Sequence, residues 1–143
     1  MDEVDEEIYM NKIIHDGDIK RYEVDFEKEE LKLFFNIESP YVPELRKNNK
    51  KAVIIFSGLL THAFKYEHHQ NILSDIYKYD IETFIKENKE LLRESRNYCW
   101  PLFFDDFDDL KTKLLKQKCN YYVIESSNGL DGWVLAKDMT IKY

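Results

Sequence analysis

The chain has 143 residues, of which 43% are hydrophobic and 15% aromatic. That is enough apolar surface for one domain with a real core, and too much for a disordered chain. Charged residues make up 34% and the formal net charge is −7, which disfavours nonspecific binding to nucleic acid or to an anionic membrane and is compatible with a basic protein partner, although solubility alone also explains it.

No apolar run approaches the ~18 residues of a spanning helix. The acidic opening Met1-Asp-Glu-Val-Asp-Glu-Glu7 lacks the basic and apolar regions of a secretory signal. A cytoplasmic location is therefore expected. Residues 1–9, with five acids among the first seven positions, read as a loosely docked acidic leader, and residues 10–143 as a single domain.

Residues 10–37 read as antiparallel strands. Asp16-Gly17 is a tight-turn dipeptide. Tyr22, Val24 and Phe26 alternate with Arg21, Glu23 and Asp25, the period of a half-buried strand. Residues 27–30 turn the chain, and Leu31, Leu33, Phe35 and Ile37 form the apolar face of a second strand. Two prolines, Pro40 and Pro43, cannot continue a ladder, so with 47–51 this segment reads as a polar loop.

Ala52-Val-Ile-Ile-Phe56 is a continuous apolar run and reads as a strand buried on both faces. Leu60, His62, Phe64 and Tyr66 give a further strand. Residues 71–79 fit either a strand or the approach to a helix, and the strand is the better fit. From Asp80, a plausible N-cap, the period changes to three- and four-residue steps. A helix is expected over about 81–97, ending before Trp100-Pro101. Phe84, Ile85, Leu91 and Leu92 should be buried. A second helix should start at Asp105-Asp106 and bury Phe107, Leu110, Leu114 and Leu115. Residues 120–136 read as strand, glycine turn, strand. The expected fold class is α+β: a mainly antiparallel sheet with two helices packed on one face, ending in a C-terminal β-hairpin.

No catalytic or cofactor signature stands in the chain, and no cofactor is expected. His62, His68 and His69 lie close in sequence, but on one strand His62 and His68 would be roughly 20 Å apart, and adjacent His68 and His69 would point to opposite faces. Zinc needs three or four converging ligands, so no metal site is expected, and a chelator should leave the melting temperature unchanged. The cluster Asp105, Asp106, Asp108 and Asp109 lacks a calcium-loop pattern and is explained by helix capping. Ser126-Ser-Asn-Gly129 reads as turn chemistry, because no lysine follows and the next element is a strand. The two cysteines, Cys99 and Cys119, are expected as buried free thiols.

The aromatic residues Tyr77, Tyr79, Trp100 and Trp133, with acids around them, are the candidate partner-binding residues. Partly exposed cross-strand packing is the blander reading of each.

The segments Val53–Leu59, His62–Phe64, Asn71–Ile76, Tyr98–Pro101 and Ser126–Ala136 resemble a group of small uncharacterised bacterial α+β proteins. In size, charge and aromatic content the chain also resembles the acidic immunity proteins of polymorphic-toxin systems. That second resemblance implies a non-enzymatic protein that binds a basic protein, such as a toxin, through an acidic aromatic face. The alternative is a small-molecule or catalytic site near His62 and Trp100, and a third reading is a homo-oligomer built on an edge strand.

Overall fold

The computed structural model describes residues 2–143. Its eight strands are β1 (Asp18–Asp25), β2 (Glu30–Asn36), β3 (Lys51–Ser57), β4 (Thr61–Lys65), β5 (Asn71–Tyr79), β6 (Asn120–Asn128), β7 (Asp131–Ala136) and β8 (Asp138–Lys142). They form one sheet in the order β4-β7-β6-β5-β1-β2-β3-β8, and every neighbouring pair is antiparallel.

Chain continuity dictates the shape of this sheet. In a flat sheet, β3 and β4 would stand ~29 Å apart, and so would β7 and β8. Only residues 58–60 join the first pair and only Lys137 joins the second, and these links reach at most ~14 Å and ~7 Å. The sheet must therefore curl until its two ends meet. The Lys137 N–H donates to the carbonyl of Ser57 at 3.0 Å, and Leu60 N–H donates to Leu135 at 2.9 Å. Inside the wrap, Phe56 on β3 meets Tyr122 on β6 with ring centroids 5.5 Å apart.

The alternation of side chains then separates two cores. Leu31, Leu33 and Phe35 of β2, Ile54 and Phe56 of β3, Ile76 of β5 and Tyr122, Ile124 and Val134 face the concave interior. On the same strands, Tyr121, Trp133 and Leu135 point outward and pack against helices. The protein is thus α+β with an antiparallel eight-stranded sheet and five helices.

The helices are α1 (Glu3–Ile14), α2 (Pro43–Lys47), α3 (Ile81–Glu87), α4 (Lys89–Ser95) and α5 (Phe107–Lys116). The arrangement holds more than the expected pair of helices on one face. α3, α4 and α5 cover the outer face through Phe84, Leu92 and Leu110, while α1 belongs to the inner core through Ile13 and Ile14. The expected acidic leader is most of α1, although Met1 lies outside the described residues. Asp2 caps this helix by accepting from Asp5 N–H at 2.9 Å, and its early acids suit the helix dipole. The Asn11 amide anchors it by donating to the Ile76 carbonyl and accepting from the Ile76 N–H, at 3.2 and 3.0 Å. β5 has that backbone edge free because β1 pairs with it only at Asn71 and Ile72.

Other departures have local causes. Asp16-Gly17 joins α1 to β1 rather than two strands, with Asp16 at φ 62°. Phe26 falls beyond the end of β1 and is exposed. β3 buries only Ala52, Ile54 and Phe56, and Val53 and Ile55 are half-buried. Pro43 starts a short helix inside the expected loop, as its fixed φ permits.

The expected long helix breaks at Asn88, whose amide donates to the Phe84 carbonyl. Leu91 faces outward while Leu92 stays buried, and Leu115 likewise faces out. The chain does not end with the 120–136 hairpin. Past Lys137 it continues as β8, which crosses to the far end of the sheet and pairs with β3. The expected N-caps do hold: Asp80 accepts from Thr83 N–H and Asp106 from Asp109 N–H, both at 2.8 Å.

Candidate functional site

The four candidate aromatic residues lie along one run of rings. Tyr77 stands 6.1 Å from Tyr79, Tyr79 6.2 Å from Tyr121, Tyr121 6.1 Å from Trp133, and Trp133 5.8 Å from Trp100. The run begins at the surface and ends in the outer core. Tyr79 is 41% exposed, whereas Trp133 is 8% exposed and offers a partner almost nothing. Trp100 is half-buried and its indole N–H donates to Thr61 Oγ1 at 3.0 Å. Trp133 is therefore a core residue, because α3 to α5 cover the strand positions from which it projects, and Trp100 is partly buried against the same cluster.

The tyrosine end differs. The Asp75 carboxylate beside Tyr77 raises its hydroxyl pKa, with smaller contributions from desolvation and Glu125. Nearby, a shallow cavity of about 440 Å³ lies along Tyr121, Leu91 and Glu87. Burial pushes Tyr121 up to about 12, and its hydroxyl donates to Glu87 at 2.9 Å.

The larger cavity lies on the opposite side of the sheet. It has a volume of about 600 Å³ and runs between α1 and β8. Glu3, Glu6, Glu7 and Met10 recur on α1 at helical spacing and form one wall. Residues of β8 form the other, and Tyr122, Ile76 and Lys78 form the floor. Lys78 pairs with Glu3 at 3.0 Å, so the carboxylates of Glu6, Glu7 and Asp138 are left in excess. Tyr122 stays neutral, since burial pushes its pKa up to about 12. The sequence reading does not reach this groove, because it takes residues 1–9, most of α1, as a leader and assigns no element to 138–142, where β8 lies.

His62 and Trp100 do not share a site. His62 pairs with Val134 on the inner face, while its neighbour Thr61 holds Trp100 on the outer one. His62 packs against Phe64 and Tyr22, with centroids 4.9 and 6.4 Å away. Desolvation lowers its pKa, partly offset by the Glu67 carboxylate.

His68 and His69 sit in the loop after β4, not on a strand, and their Nδ1 atoms are 3.5 Å apart rather than on opposite faces. Among the described residues no group of three or more His, Cys, Asp or Glu side chains could hold a metal ion. In the aspartate cluster Asp106 caps α5, and Asp109 accepts from Asp105 N–H at 2.9 Å and pairs with Lys113 at 3.0 Å.

Both cysteines are free, but only Cys119 is buried. Cys99 follows the last helical turn at φ 53° and its side chain is exposed. Burial raises the Cys119 thiol pKa, partly offset by Lys137. A thiol reagent is therefore expected to modify Cys99 alone in the native protein and both cysteines after unfolding. Mass spectrometry before and after denaturation checks this, and rapid native modification of Cys119 would contradict its placement.

Compared with known proteins, the chain matches no family model, no curated protein and no solved structure. Among the described residues no helix is long and apolar enough to cross a membrane.

Proposed function

We propose that this protein is a non-enzymatic binding protein that captures a basic protein partner through the acidic, tyrosine-containing groove between α1 and β8. This is the kind of role that the likeness to toxin-immunity proteins implies. One observation carries the reading: Glu6, Glu7 and Asp138 surround an apolar floor whose single lysine, Lys78, is already paired with Glu3. Unbalanced carboxylates over apolar surface favour a ligand that brings both positive charge and apolar side chains. The charge steers association and gives way to salt, while the apolar contacts hold the complex.

A second point of contact is favoured by the exposed Tyr79 and by the Asp75 and Glu125 carboxylates around Tyr77. If Tyr79 is a hot spot, Tyr79→Ala costs the complex about 2 kcal/mol or more.

The test is capture of a partner from the native host at low and high salt, with wild type beside a Glu6→Lys/Glu7→Lys variant. Both positions are exposed or half-exposed in the first turns of α1, so reversing them weakens the helix by about 1 kcal/mol per charge at most and leaves the sheet intact. A partner that wild type retains, that high salt releases and that the variant fails to bind is the expected result. A partner held equally by the variant would move the site away from the groove. No protein partner at either salt, with a metabolite bound to the purified protein, would replace this reading with the small-molecule one.

A further inference from the structure

β8 is a terminal strand of the sheet, paired with β3 on one side and, among the described residues, with no strand on the other. Asp138 and Thr140 project to one face of β8 and Met139 and Ile141 to the other, as their alternating exposure shows. Yet all four border the same cavity of about 600 Å³. Side chains on one face of a strand come from alternate residues only. A cavity that borders four consecutive residues of β8 and none of its neighbour β3 lies along the edge away from β3. The space between α1 and β8 is therefore bounded by the unpaired backbone N–H and C=O groups of β8, and such an edge is a ready template for another extended chain.

We propose that β8 is a strand-addition site: an extended, basic segment of a protein partner pairs with its free edge and lies between it and α1. This rests on the function proposed above and names how that groove is filled. Main-chain hydrogen bonds to β8 supply the register. Alternate side chains of the added strand then point in opposite directions, one set toward the apolar floor and the other toward solvent and the groove's rim. Glu6 and Glu7 on α1 and Asp138 at the start of β8 select lysine or arginine for the rim positions. A second copy of this chain fits less well, because its own β8 would bring Asp138 into a groove that already carries the acidic excess.

The probe is an acetylated, amidated heptapeptide alternating lysine and valine, titrated into the intact protein at low salt. Its companions alternate glutamate and valine, or carry the lysine–valine sequence with N-methyl groups on either the lysine or the valine nitrogens. In a strand, residues whose side chains share a face also share a hydrogen-bonding edge. Strand addition therefore predicts that one methylated form binds at least tenfold more weakly while the other is within about twofold of the parent. The glutamate peptide should not bind. Hydrogen exchange should slow across 138–142 in the complex.

Equal weakening by the two methylated forms, protection elsewhere than β8, or no binding of the lysine–valine peptide at millimolar concentration would each overturn strand addition. So would concentration-dependent dimerisation with protection at β8. None of these touches the salt-sensitive capture of a folded partner, which stands or falls on the Glu6/Glu7 comparison.

Discussion

Gly132→Ala is expected to be among the most damaging substitutions in the chain. Gly132 pairs with Phe64 on one side and Ile124 on the other, so its backbone is held between two strands. Its φ is 151°, and a Cβ built there would overlap the carbonyl oxygen of Ala63. That oxygen belongs to backbone in a ladder, not to the tip of a mobile side chain. β4 would have to leave β7, or β7 would have to change conformation. Strain of this kind and the forced shift together cost about 3 kcal/mol or more. For a domain of this size that is a fall of roughly 6 °C or more in melting temperature.

Gly58→Ala is the control. Gly58 also has positive φ, 63°, but a Cβ there meets the side chain of Lys137, at 2.7 Å. Rotation can move the Lys137 Cγ and Cδ aside but not its Cβ, 2.9 Å away, so the cost should somewhat exceed the ~1–2 kcal/mol of the left-handed conformation itself and stay below that at Gly132, where the overlap is with a ladder carbonyl. Equal melting temperatures for the two variants would show that the β4–β7 approach at Gly132 is not as tight as described.

These two glycines also mark where the sequence stops being readable. Locally determined features were legible. The alternation at Leu31, Leu33, Phe35 and Ile37 set a strand face that is 0–1% exposed, and Asp80 and Asp106 announced helix starts by their own chemistry. Features fixed by distant partners were not. α1 carries its buried residues, Ile13 and Ile14, only at its last turn, so its acids outweighed its apolar stripe, and the anchor that holds it is a single amide against Ile76 across 65 positions. β8 did show a signal that was passed over: Met139 and Ile141 alternate with Asp138, Thr140 and Lys142. The curl that brings β8 beside α1 follows from short connections between strands whose order cannot be read from one sequence. The groove is made of those two elements, so missing both meant missing the site. The tyrosine pair, by contrast, was legible as a pair because Tyr77 and Tyr79 share a strand face whatever the sheet order.

The second large effect is in the outer core. Phe84 is fully buried, and its ring lies 5.2 Å from that of Tyr121 and 5.1 Å from that of Trp133. Phe84→Ala removes the contact through which α3 rests on β6 and β7, and leaves a cavity bounded by two large rings that are pinned elsewhere. Tyr121 is held by its hydrogen bond to Glu87, and Trp133 lies within β7 against Trp100. Little collapse is available, so the cost should reach about 3–5 kcal/mol, and Leu92→Ala should cost about 2–5 kcal/mol for the same reason. Leu91 is the discriminating neighbour. It is 39% exposed, and Leu91→Ala should change stability by less than about 1 kcal/mol. Urea unfolding separates these cases through the midpoint at constant slope. Consecutive helical residues point about 100° apart, so with Leu92 at the centre of the buried face Leu91 falls at its edge. Comparable losses at the two positions would show Leu91 packed as deeply as Leu92, while a large loss at Leu92 alone matches the exposure of the one and the burial of the other.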